Sequence, residues 1–366
     1  MKITLHTAVL DFGQMVDEIR IEVDGTVPEL KPEDFLCKDC YCNLSATQPI
    51  PGVKEVKVEG NVVSATTDPF LYRIDFSVSC EKLGVTVTKK NVDKIELYHE
   101  ELFRPVVENG CRYRIYEPNC YGPRPLILFL HGGGASGEDN LQQLTDTLGP
   151  IKLAERCPDM YVMAPQAPAG SLSMEEMFAK MMSHGDPYKV LIGSDTDNAP
   201  EDRGWTRDAL GRVCDVIRKM IAEGKVNPKR VYCIGGSMGG FGTIKAVSIA
   251  PELFAACAPI CPSMNGESWP ILANFPDVPA YISTAYIDHQ VARHAYIMRA
   301  VQALWDKGRK DIRYTIFTPE ELAQYGIGVN PDVSTKDLYA ELHNSWIMVM
   351  HNEYCILDWM FSHEKK

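Results

Sequence analysis

Residues Arg230–Thr243 read RVYCIGGSMGGFGT. An apolar stretch runs into Gly235-Gly236-Ser237-Met238-Gly239, and a helical pattern follows. This is G-x-S-x-G in the context that gives it meaning, a strand turning sharply into a helix. Small residues on either side of the serine let the backbone reverse without collision, and the turn leaves the Ser237 hydroxyl exposed. The helix that starts there places positive potential beneath any oxyanion formed beside it. A strand of this kind needs parallel neighbours and covering helices, so one short run already points to an α/β architecture.

The flanking sequence supplies both. Tyr113–Tyr116 is a short strand, and Pro125–Leu130 (PLILFL) is a continuous apolar run of the type buried on both faces of a parallel sheet. Met160–Ala164, Arg230–Ile234, Phe254–Cys261, Pro279–Ala285 and Ile312–Phe317 are further runs. Helical stripes lie between them: Leu210, Val213, Ile217, Met220 and Ile221 form one, and Val291, Ile297, Val301 and Leu304 another. The alternation predicts a doubly wound, mostly parallel sheet over residues 106–366. Residues 166–205 exceed ordinary loop length and carry the Met-rich stretch Ser173–Met182. They read as an insertion, either a lid or pocket wall or a peripheral helix covering the core.

Residues 1–105 have a different period. Lys54–Val58, Leu71–Val78, Val85–Thr88 and Ile95–Tyr98 alternate apolar and polar residues and are punctuated by Pro51-Gly52, Gly60-Asn61 and Gly84. Short strands at this spacing predict a small all-β sandwich.

Ser237 needs partners. His131–Gly137 (HGGGASG) directly follows PLILFL, and a glycine-rich loop there can bring a backbone N–H to the reacting carbon. The oxyanion donors expected are the Met238 N–H and one from Gly133 or Gly134. His131 itself reads as a buried support, because the base in such a chain comes late, in the order Ser, Asp/Glu, His. Asp288, at the exit of the Pro279–Ala285 run, is the expected acid; its competing role is an N-cap. His343, in the polar stretch Leu342–Trp346, is the expected base, with His351 as the alternative. His289 and His294 belong to the acid loop and its helix.

The chain has 366 residues, with 37 Lys+Arg against 49 Asp+Glu and a net charge of −12. That balance argues against nucleic-acid or anionic-membrane partners. No apolar run approaches the ~18–20 residues of a membrane span, and the first residues carry no signal-peptide pattern. A cytoplasmic location with reduced thiols is the resulting expectation for the 12 Cys. Cys214, Cys233, Cys257 and Cys261 read as core filler. Cys37-Lys38-Asp39-Cys40-Tyr41-Cys42 reads as a thiol-rich loop, since a second pair at zinc-ribbon spacing is missing. No metal or organic cofactor is expected.

These residues resemble the bacterial α/β-hydrolase esterases of the "predicted peptidase" group, related to polyhydroxybutyrate depolymerase-like and feruloyl esterases. Members with an N-terminal immunoglobulin-like domain look most similar. The resemblance runs through Tyr113–Tyr116, LILFLHGGGASGEDN (127–140), Ala164-Pro165-Gln166, RVYCIGGSMGGFGT, Leu253–Ala256 and HNSW (343–346). It implies Ser237, Asp288 and His343 as a catalytic triad, and aromatic residues, Trp205 and Trp346, near the site. His289 is a further pocket candidate. The implied function is carboxylic ester hydrolysis, on feruloyl, acetyl or short-chain esters, with a small-molecule or carbohydrate-linked ester as substrate and a homo-oligomer formed through the N-terminal domain. The alternatives are a serine peptidase or acylaminoacyl hydrolase using the same triad, and a carbohydrate- or protein-binding module carried on a hydrolase scaffold.

Overall fold

A computed structural model describes residues 1–43, 46, 48–170, 204–264, 268–288, 291–332, 338 and 341–365. The chain divides into two compact units. One takes in Met1–Glu101 and Val329–Val333, the other Leu102–Gly328 and Ser334–Lys366.

Among the described residues, the first unit holds eight strands: β1 (Lys2–Leu10), β2 (Gly13–Glu22), β3 (Phe35–Lys38), β4 (Val53–Glu59), β5 (Val62–Leu71), β6 (Ser77–Cys80), β7 (Val85–Val87) and β8 (Lys94–Leu97). They form two sheets, ordered β4-β5-β2-β1-β8 and β3-β6-β7. Alternate residues of both, such as Leu5, Ile19, Val63 and Ala65 from one and Phe35, Val78 and Val87 from the other, fill one core. The unit is therefore a β-sandwich. One expected strand, Leu71–Val78, is corrected: Leu71 ends β5, the chain turns at Tyr72 and Arg73, and β6 begins at Ser77. The apolar residues bracketing that turn, Phe70 and Phe76, pack edge to face at 4.9 Å, so alternation continued across a bend.

The second unit is built on an eight-stranded sheet: β9 (Phe103–Glu108), β10 (Cys111–Tyr116), β11 (Arg124–Leu130), β12 (Tyr161–Gln166), β13 (Val226–Gly236), β14 (Ala256–Ile260), β15 (Ala280–Ala285) and β16 (Ile312–Phe317). Its order is β16-β15-β14-β13-β11-β12-β10-β9. β10 pairs antiparallel with β9 and β12; all pairings from β12 through β16 are parallel. β9 starts two residues before Pro105, where the sequence pattern changes.

Helices cover both faces, as double winding requires. On one face, Leu126, Leu128, Val231 and Cys233 join a core with α2 (Arg207–Ala222), α3 (Met238–Ile249) and α4 (Val291–Asp306). On the other, Phe129 packs on Gly149 of α1 (Gly149–Arg156), where any side chain would meet the ring at about 2.1 Å. Tyr232 and Tyr281 also pack there, on Phe361 and Trp359 of α6 (Ile356–Phe361), with centroids 5.3 Å apart in each pair. α5 (Trp346–Met350) comes between, late in the chain. The Met-rich stretch and most of the 166–205 insertion lie outside the described residues, as does His289. Among the described residues, no helix is long and apolar enough to cross a membrane.

Candidate active site

β13 ends at Gly236 and α3 begins at Met238, which leaves Ser237 alone at the turn with φ 59° and ψ −121°. A side chain in that region is strained by roughly 1–3 kcal/mol and persists only where its surroundings hold it. Here the Ser237 N–H donates to the Ile260 carbonyl at 3.0 Å, and the Ser237 carbonyl accepts from Ser263 and Phe241 at 3.1 Å. The flanking glycines are required by crowding. A Cβ on Gly235 would lie 2.4 Å from the Leu130 carbonyl oxygen, and one on Gly239 only 1.9 Å from it.

Asp288 follows β15 and His343 sits on a short 3-10 turn, His343–Ser345, ahead of α5. The two side chains converge on the serine. His343 Nε2 is 2.7 Å from Ser237 Oγ, and His343 Nδ1 is 2.5 Å from Asp288 Oδ1. Asp288 is wholly buried, and the Arg293 guanidinium lies 3.8 Å from its Oδ1. Burial opposes charging His343, but the Asp288 carboxylate, with the Cys261 sulfur beside it, outweighs burial and holds the imidazole's proton affinity above the ordinary value. Asp288 thus faces the imidazole, and His351 is exposed, its ring tilted against that of Tyr325 at 4.9 Å.

The glycine loop stands beside the serine: a Cβ on Gly132 would be 3.7 Å from the Ser237 Cβ. Gly133 is uncrowded, whereas a Cβ on Gly134 would meet the Asp146 carboxylate at 3.0 Å. His131 anchors the loop. Its Nε2 accepts from the Ala167 N–H at 2.9 Å, so Nδ1 carries the proton and donates to the Gly132 carbonyl at 2.6 Å. Burial lowers its pKa to about 4, which keeps it neutral.

Trp205 is buried, donates from Nε1 to the His131 carbonyl at 3.0 Å and packs on Gly242, so it braces the loop beside the serine. Trp346 is half-buried, with its ring perpendicular to His343 at 5.6 Å and its edge near Gly236.

Three neighbours are absent from the sequence reading of the site. Ser263 Oγ lies 3.4 Å from Ser237 Oγ. Arg293 lies behind Asp288. Cys261, read as core filler, is buried and lies beside the His343 imidazole. Its Sγ, with ligand atoms of Asp288 and His343, forms a group within 4.8 Å that is able to take a metal. A metal there would compete for the imidazole that Asp288 now orients.

A parallel sheet with an antiparallel start, a serine at the turn after β13, an acid after β15 and a late histidine define an α/β-hydrolase fold. Residues 203–310 match the model of the prolyl oligopeptidase family. A probable carboxylesterase SOBER1-like of Arabidopsis thaliana is 33% identical over 132 residues, 35% of this chain and 45% of its own length. The chain therefore spans less than half the length of that curated relative. Among solved structures, a thermostable esterase superposes with a TM-score of 0.64 at 22% identity, covering 100% of both chains.

Proposed function

We propose that this chain is a serine carboxylesterase. The observation that carries the reading is the continuous relay from Ser237 Oγ through His343 to buried Asp288, at 2.7 and 2.5 Å. Ser237 attacks the ester carbonyl carbon while His343 Nε2 takes the hydroxyl proton, and Asp288 holds the imidazole in the useful tautomer. The tetrahedral oxyanion is received by the N–H groups of Met238 and the glycine loop. The open space at Gly133 favours it over Gly134, and each such donor typically contributes ~10²–10³ in rate. His343 then protonates the leaving alcohol, and water, activated by the same imidazole, releases the acid from the acyl-enzyme.

Similarity to the carboxylesterase relative supports ester over amide substrates, and the sequence resemblance supports short-chain, acetyl or feruloyl esters. Ser237→Ala should abolish hydrolysis of p-nitrophenyl esters and methyl ferulate while leaving the circular dichroism spectrum intact. Retained turnover in that variant would refute the reading. The match to the prolyl oligopeptidase model favours a second reading, amide cleavage by the same triad. A peptide and acylaminoacyl panel run beside the esters decides between them by the ratio of kcat/KM.

The N-terminal unit we read as an immunoglobulin-like module. Supporting this, β4-β5-β2-β1 and β3-β6-β7 reproduce the D-E-B-A and C-F-G order of the constant-type sandwich, with β8 added parallel to β1 at the edge.

A further inference from the structure

Among the described residues, one set of three ligand-bearing side chains is grouped closely enough to hold a metal ion. Cys261 Sγ, an Asp288 carboxylate oxygen and a His343 ring nitrogen all lie within 4.8 Å of one another. The fold fixes each of them. Cys261 directly follows β14 with a positive φ of 37°, and its N–H donates to the Ser283 carbonyl of β15 at 2.7 Å. Asp288 follows β15, and His343 lies on the 3-10 turn ahead of α5. Backbone strain in a non-glycine residue concentrates at functional sites, and here it falls on a residue that the hydrolytic relay does not use. Cys261 and Asp288 are wholly buried, whereas His343 and Ser237 are half-buried, so the side open to an ion is the serine's. A thiolate and a carboxylate together carry the two negative charges that a divalent cation needs in a site shielded from water. Sulfur, imidazole and carboxylate, with a water as fourth ligand, suit Zn²⁺ rather than the oxygen-seeking Mg²⁺ or Ca²⁺.

We propose that Cys261, Asp288 and His343 form an inhibitory Zn²⁺ site. The ion takes the place of the proton between His343 Nδ1 and Asp288 Oδ1. Their separation of 2.5 Å must widen by less than about 1 Å to admit metal bonds of ~2.0–2.2 Å. The Cys261 thiol gives its proton to water and binds as thiolate. The displaced Nδ1 proton passes through water to Nε2, since a neutral imidazole metallated on one nitrogen is protonated on the other. One proton is released for each ion bound, and nothing is oxidised or reduced. Nε2, 2.7 Å from Ser237 Oγ, then donates to the serine instead of accepting from it, and base catalysis stops. The Arg293 guanidinium, 3.8 Å from Asp288 Oδ1, opposes the cation and keeps its binding reversible. The effect on turnover rests on the esterase reading; uptake of the ion does not.

The test titrates the full chain, stripped with a chelator, with Co²⁺, whose near-ultraviolet charge-transfer band reports a thiolate ligand. Zn²⁺ affinity is read by competition with a chromophoric chelator, and p-nitrophenyl acetate turnover is followed in parallel. The expected result is a cobalt band, loss of turnover in step with Zn²⁺ occupancy, and recovery when the chelator is returned. Ser237→Ala should bind the ion as wild type does, because the serine is not a ligand. Metal uptake at this site in a wild-type chain that hydrolyses no ester would refute the esterase reading and leave the site standing. Cys261→Ala should lose the band and bind Zn²⁺ at least about 100-fold more weakly, since losing even a partner that supports a ligand costs roughly 10–100-fold. The proposal is overturned if no band forms, if the band survives in Cys261→Ala, or if Zn²⁺ inhibits that variant as strongly as wild type. His343→Ala decides by the same spectrum even if Cys261→Ala fails to fold: a retained band places the metal elsewhere and refutes the site.

Discussion

His343 Nδ1 and Asp288 Oδ1 stand 2.5 Å apart although 55 residues separate them in the chain. The contact is buried, so the carboxylate acts on the imidazole with little solvent screening and favours its charged form. A general base works only when deprotonated. Activity should therefore climb with pH through a value above the ordinary imidazole 6.5. Asp288→Asn removes the charge and leaves burial, which acts in the opposite direction, so the ascending limb should move to lower pH. The rate should fall by roughly 10⁴, because the amide no longer selects the productive tautomer. A kcat/KM profile against pH for both proteins checks this; a limb that does not move would show that Asp288 leaves the imidazole's titration untouched.

Two glycines near the serine should respond oppositely to the same change. A methyl at Gly239 would lie 1.9 Å from the Leu130 carbonyl oxygen and 2.6 Å from that of His131, both fixed backbone atoms. Gly239→Ala should fail to accumulate as folded protein. At Gly133 nothing lies within 4 Å of the added methyl, and alanine keeps the N–H. Gly133→Ala should fold normally and melt close to wild type. Soluble yield and thermal melts of the two variants test the contrast.

The legibility of the site follows from what each part depends on. Ser237 was readable because its turn is local: strand, glycines and helix are adjacent in sequence. Asp288 and His343 were readable through chain order, which the sheet topology imposes. Cys261 and Arg293 were not, because only the packing of β14 and α4 around the imidazole and its acid gives them a role. The bond from the Trp205 ring N–H to the His131 carbonyl is likewise a product of packing, since 74 residues separate the two in the chain. In the N-terminal unit, the β1–β2 hairpin was missed for a physical reason. β1 keeps its period of two but turns polar Thr7 inward with Ile3, Leu5 and Val9, and in β2 the register shift between Val16 and Glu18 breaks the period, so that adjacent Met15 and Val16 are both buried.

Gln166, at the end of β12, ties down three points of the segment after the glycine loop. Its Nε2 donates to the Ala135 carbonyl at 3.1 Å and to Asp139 Oδ1 at 2.7 Å, and its Oε1 accepts from the Asn140 N–H at 2.7 Å. Gln166→Leu fills similar volume but orphans these groups, at a cost of about 1–3 kcal/mol for each that stays buried. Denaturant unfolding should show that loss. Turnover of a short p-nitrophenyl ester should drop through kcat with KM little changed, since the loop contributes donors that matter most in the transition state. A variant that loses stability but keeps wild-type kcat would separate the network from the catalytic geometry.

His131 makes the protein sensitive to acid. Both ring nitrogens are committed in the neutral form, with Nδ1–H donating to the Gly132 carbonyl and Nε2 accepting from the Ala167 N–H. A second proton would set Nε2–H against that N–H in a site with no exposure to water. Burial accordingly lowers the folded-state pKa to about 4 from an ordinary 6.5. Below 6.5 the unfolded chain takes up this proton and the folded one does not, so stability falls as pH drops from 6.5 towards 4 and levels once both forms are protonated. The loss from this residue is at most about 3 kcal/mol. In urea titrations across that range, His131→Gln should be less stable than wild type at pH 7 and lose less on acidification. A variant curve parallel to wild type at every pH would mean that His131 does not supply the titration.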